Sequence, residues 1–206
     1  DVTIGAGASS TTTIAGDLAV TGSLPTAAKG WVKISQTNLG GPDADVSSVE
    51  FTSGIDSTYD IYRITLLNVH IETDDKTIQM EFSTDGGSNW DAVSKVSTAF
   101  KVYGDSTLST SSAFDLSAST NPQGFAHPGN DNDQATSGEI MMYGFSDTTY
   151  MKHYVINSAY SANNDTYYGS FVYGICDTAS AINAVRFTMN SGNIDDGTFT
   201  LYGLTK

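Results

Sequence analysis

The chain has 206 residues, 39% hydrophobic and 16% charged, with 9 lysines and arginines against 23 aspartates and glutamates. A formal charge of −14 repels phosphate backbones and anionic surfaces, which argues against nucleic acid as a partner, and no window reaches the roughly eighteen consecutive apolar residues of a membrane span. The lone Cys176 excludes an intrachain disulfide and, following the apolar run 171–175, reads as a buried, inert thiol.

The first element is the stretch up to Leu24. Val2, Ile4, Ala6, Ala8, Ile14, Leu18, Val20 and Leu24 alternate with polar or tiny residues such as Asp1, Thr3, Thr13, Asp17 and Thr21. A period of two means extended chain with one apolar face. Burying its aliphatic side chains offers about 10 to 15 kcal/mol, whereas fixing two dozen backbones costs about 25 kcal/mol or more. Residues 1–28 are therefore expected to be an extended arm that needs neighbouring strands, namely copies of itself, with Ile4, Ile14, Leu18, Val20 and Leu24 as the oligomerisation contacts.

The character changes after Pro25, and residues 29–206 are expected to form a β-sandwich knob. Strand-like runs recur at Val49–Thr52, Ile61–Ile71, Thr77–Ser83, Thr98–Tyr103, Glu139–Phe145, Tyr150–Ile156, Tyr167–Cys176, Ala184–Met189 and Thr198–Leu204. Ile78, Met80 and Phe82 alternate with polar neighbours, as do Val185, Phe187 and Met189, which marks half-buried antiparallel strands. Between Leu66 and Leu67 the apolar set switches face, so a bulge or a crossing between sheets is expected there. No apolar stripe at helical spacing persists. The predicted class is all-β, an extended intertwined arm followed by a jelly-roll-like antiparallel sandwich. Thr107–Ser137, poor in aliphatics and rich in Ser, Asn, Gly and Pro, reads as a long surface excursion.

Candidate chemistry is sparse. Gly5-Ala6-Gly7 lacks the third glycine and the strand-to-helix setting of a phosphate loop. His70, His127 and His153 fall in no metal-binding or nucleophile spacing. Asp85–Asp91 and Asp131–Asp133 offer oxygen donors but not the twelve-residue calcium loop, and the pairs Asp74-Asp75 and Asp195-Asp196 suit turns better than a glycosidase. The sequence thus nominates no catalytic residue, metal ligand or cofactor. Its remaining resource is aromatic side chains, which combine a flat apolar face with a polar edge. Tyr160 and Tyr167, flanking the polar turn 161–165, are the expected exposed pair, and Trp90 is the third candidate binding residue.

These residues resemble a family. Gly16-Asp17-Leu18-Ala19-Val20-Thr21-Gly22 is similar to the G-(N/D)-L-x-V-T-G segments in fibres and spikes of tailed bacteriophages, where three chains wind such strands about a shared axis. Residues 51–62, the run Phe82-Ser83-Thr84-Asp85-Gly86-Gly87-Ser88-Asn89-Trp90 and the closing 197–204 resemble a β-rich module of phage virion proteins, cyanophages included; residues 95–180 carry no matching motif. The resemblance implies a non-enzymatic homotrimer in the virion, joined through its arm to other virion proteins, with a host glycan or surface protein as partner. A tail-fibre component is the first reading. A capsid decoration or head-fibre protein is the second, and a secreted carbohydrate-binding module is the alternative outside viruses.

Overall fold

The computed structural model describes residues 30–41, 44–103, 108–110 and 114–206. Ile4, Ile14, Leu18, Val20, Leu24 and the rest of the arm lie outside the described residues. Within them there are thirteen strands and no helix: β1 (Trp31–Leu39), β2 (Ser48–Phe51), β3 (Ile61–Ile71), β4 (Ile78–Ser83), β5 (Lys95–Tyr103), β6 (Leu108–Thr110), β7 (Leu116–Ser119), β8 (Gln123–Ala126), β9 (Thr136–Tyr143), β10 (Lys152–Ser161), β11 (Tyr167–Cys176), β12 (Ala184–Met189) and β13 (Ile194–Leu204).

A nine-stranded sheet has the order β1-β13-β3-β9-β10-β11-β5-β6, with β7 also on β5, and a four-stranded sheet has the order β2-β12-β4-β8. Every pairing is antiparallel. The chain passes from one sheet to the other at β1/β2, β2/β3, β3/β4, β4/β5, β7/β8, β8/β9, β11/β12 and β12/β13. This winding, 1-13-3-9 facing 2-12-4-8, is that of a jelly roll. The remaining strands are insertions, β5 to β7 between β4 and β8 and β10 with β11 between β9 and β12, and all of them widen the same sheet.

Alternation explains which residues face inward. Ile64 and Leu66 of β3, Ile140 and Met142 of β9, Tyr154 and Ile156 of β10, and Val172 of β11 point into one core with Met80, Phe82, Val185 and Phe187 of the smaller sheet. At about 1.5 to 3 kcal/mol per fully buried large side chain, this interleaved layer dominates the stability. The expected face switch in β3 is a bulge: its register on β9 shifts between Leu66 and Val69, and Asn68 takes a positive φ of 49°. A short polar side chain tolerates that conformation best after glycine.

The reading of Thr107–Ser137 as a surface excursion is corrected. Phe114 and Phe125 are buried in the core and β8 completes the smaller sheet. Gln123 makes this possible despite its polarity. Its amide donates to the carbonyls of Phe114 at 2.7 Å and Gly124 at 2.8 Å and accepts from the Tyr154 hydroxyl at 2.6 Å, so few polar groups are buried unpaired.

Lys152, Cys176 and Lys95 lie side by side in register on β10, β11 and β5, all fully buried. Each ammonium is satisfied by backbone carbonyls, that of Lys95 by Val93 and Thr120 at 3.0 and 3.3 Å and that of Lys152 by Tyr150 and Ala179 at 2.5 and 3.1 Å. The lysines thereby tie loops at this end of the sheet to its inner face. Burial pushes the Cys176 thiol up to about 12, and the two ammonium charges only partly offset this. The thiol is buried, as its apolar surroundings predict.

Candidate binding site

The two ends of the large sheet differ. At the end where residue 30 enters, register aligns Trp31 with Leu204, Ile61 with Tyr143, Tyr143 with His153, His153 with Ile175 and Ile175 with Val96. At the other end lie the β3 bulge, the start of β9 and the β10–β11 turn. That second end carries a polar groove.

Bulges build it. Asn68 leaves the β3–β9 register, and β13 shifts register twice on β3, on either side of Asp196. Bulges re-aim side chains, and these help form a hollow of about 580 Å³ lined by Asn68, His70, Asn132, Asp133, Gln134, Ala135 and Asp196. A second hollow of about 280 Å³ shares Asn68, Asp133 and Ala135 and continues to Ser137, Ala159, Tyr160, Ser161, Tyr167 and Tyr168. The two adjoin as one groove with amides and carboxylates at one end and tyrosines at the other.

The groove's walls are braced by hydrogen bonds. Gln134, buried, donates to Asp165 Oδ1 at 3.1 Å and accepts from the Asp131 N–H at 3.3 Å, so it joins the loop before β9 to the β10–β11 turn. The Asn68 N–H donates to Ser137 Oγ at 2.9 Å. His70 Nδ1 lies 2.7 Å from Asp195 Oδ1 and Nε2 lies 3.1 Å from the Asp131 carbonyl. Both ring nitrogens therefore meet oxygen acceptors, and the pair pins a loop instead of presenting a base to a nucleophile.

Of the three nominated binding residues, Tyr160 and Tyr167 line the groove, and of these two Tyr167 has the expected exposure. Tyr167 is 68% exposed at the groove's end. Tyr160 is corrected to buried, at 4% exposure: it shares strand parity with the core residues Tyr154 and Ile156, and its ring stacks on Tyr168 with centroids 5.1 Å apart. Lys101 approaches both rings, at 5.9 and 5.6 Å, and burial holds its ammonium below the usual lysine value.

Trp90 is likewise covered, at 9% exposure, but outside the main core. The loop after β4 folds it over Arg186, whose guanidinium carbon sits 4.8 Å from the ring centre. Arg186 in turn bonds Glu81 through Nε at 2.9 Å and Nη2 at 2.8 Å. Trp90 is thus a roof on the outward face of the small sheet. The calcium-like run Asp85–Asp91 has a structural use too, since Asp85 Oδ1 accepts from Ser83 Oγ and from the Asn89 N–H.

His127 stacks on Phe114 at 4.9 Å and meets Thr77 Oγ1 at 3.1 Å, consistent with a loop-shaping role. Sequence reasoning missed Asn68 as a site residue and read Asp133 and Asp196 only as loop and turn carboxylates, whereas all three line the groove. The face switch in β3 was the signal for Asn68; the other two depend on tertiary placement.

Chemically, the groove offers amide donors, carboxylate acceptors and an exposed aromatic face within one open trough. That combination suits a polyhydroxylated ligand, whose hydroxyls need paired donors and acceptors and whose C–H faces stack on a ring. Comparison of the chain with protein-family models, with curated proteins and with solved structures gave no match.

Proposed function

We propose that the protein is a non-enzymatic phage virion component, a homotrimeric tail-fibre protein whose groove contacts a glycan on the host surface. The observation that carries this reading is the separation of the two ends. The described chain enters the sheet at Gly30, whose N–H donates to Thr205 Oγ1, while Tyr167 and the Asn68–Asp133 groove lie at the opposite end, a strand length of about 30 Å away. A fibre needs this polarity, with attachment on one side and host contact on the other. Weak groove contacts repeated on three copies give useful avidity.

The test is binding of the purified full chain to a panel of bacterial surface polysaccharides and lipopolysaccharides, alongside Tyr167→Ala and Asp133→Ala. Capture of at least one polysaccharide by the parent chain, weakened about tenfold or more in Tyr167→Ala, supports the reading. Failure of the parent chain to bind any of the panel or intact host cells defeats its host-contact part.

A further inference from the structure

The outward face of the nine-stranded sheet, at the end where residue 30 enters, carries exposed large apolar side chains. Val96 is 46% exposed, Tyr143 37%, Tyr173 50% and Ile175 37%. Register makes them neighbours: Tyr143, His153, Ile175 and Val96 form one row, and Tyr173 with Val155 and Met141 forms the next. Exposed apolar residues scattered singly are ordinary, whereas a contiguous band of them marks an interaction surface. Tyr150 and Met151, both exposed, extend the band over the sheet's end.

Two observations identify the occupant. The first is charge. The two rows contain Lys33 and Arg63 and no carboxylate of their own; Glu139, in the third row beside Asn157, reaches Arg63 at 4.0 Å as its counter-ion. For a chain of −14, copies meeting elsewhere would press like charges together, and this band lets them approach with little repulsion. The second is continuity. Residues 1–29, with their alternating apolar side chains, precede Gly30, and the next residue, Trp31, opens the first row opposite Leu204. Gly30, where the described sheet begins, thus stands at the end of the sheet that carries the band.

We propose that this band is the surface on which a second copy of the chain docks, extending the contact begun by residues 1–28. The proposal rests on the fibre reading for the number of copies, but the surface itself is assigned from the sheet.

The experiment is sedimentation equilibrium of the full chain against the double variant Tyr173→Glu, Ile175→Lys and, on a separate strand, Val96→Glu. Thermal unfolding confirms that these exposed substitutions leave the sandwich folded. Gln79→Glu, on the outward face of the small sheet, is the control. The expected result is an associated parent chain and control, with self-association weakened about tenfold or more in both band variants.

Variants that keep the parent's mass and dissociation behaviour overturn the proposal, as does a parent chain that is monomeric throughout. The two readings fail separately. Polysaccharide capture with band variants still fully associated removes the docking surface alone, while dissociating variants with no capture by the parent leave the docking surface standing and remove host contact.

Discussion

The outward faces of the two sheets solve opposite problems. On the small sheet, Glu50, Arg186 and Glu81 stand in register across three strands, and Trp90 closes over the guanidinium. Every charge there has a partner within the same chain. On the large sheet, Tyr173, Ile175 and Val96 stand in open solvent with no loop drawn over them. A fold able to roof one face with a tryptophan leaves the other bare, and the contrast locates the surface available to something outside the chain.

The largest effect expected comes from breaking the satisfied face. Arg186→Met strands Glu81, whose side chain is 8% exposed, without its cation, and losing one member of a buried ion pair costs about 3 kcal/mol or more. Denaturant unfolding measures it; a loss below about 1 kcal/mol, the value of an exposed pair, would show that the two faces are equally superficial. The smallest effect belongs to the bare face. Tyr173→Ser is expected to change unfolding free energy by no more than about 0.5 kcal/mol at concentrations too low for association. A larger loss would mean that the monomer itself depends on this side chain, and the contrast would disappear.

Much of the sandwich was legible because one-sided burial writes period two into a strand. β3, β11 and β12 have the predicted bounds, and the β3 face switch marks a real bulge. Legibility ended where both faces of a strand are apolar. In β11, Tyr168, Val172 and Cys176 share one parity and Tyr167, Phe171, Tyr173 and Ile175 the other, so alternation cannot say which set meets the core; pairing with β5 and β10 decides it. Tyr160 was misjudged by its nearness to a polar turn, although its parity with Ile156 already pointed inward. Trp90 was beyond sequence reasoning, since its cover is a loop packed on Arg186, far along the chain.

The core's inward aromatics outweighed composition in residues 107–137. Phe114 and Phe125 are enough to anchor a segment otherwise made of Ser, Asn and Gly, provided Gln123 finds acceptors. The groove was the least readable part. Its floor depends on two bulged strands and a loop held by Gln134, none of which announces a ligand in one dimension.

The buried Cys176 thiol makes the sandwich sensitive to alkali, an effect opposed by neighbouring Lys95, whose ammonium is held below the usual lysine value by burial. An unfolded chain gives up its thiol proton near the ordinary value of 9.0, whereas the folded one holds it to about 12. Across that interval the unfolded form binds fewer protons, so the thiol's contribution to stability is intact below 9 and drains away as pH climbs. Cys176→Ala should flatten this part of the stability profile, and an unchanged slope would show that the sulfhydryl is not the group responsible. Base, not acid, is the solvent condition under which this residue works against the fold.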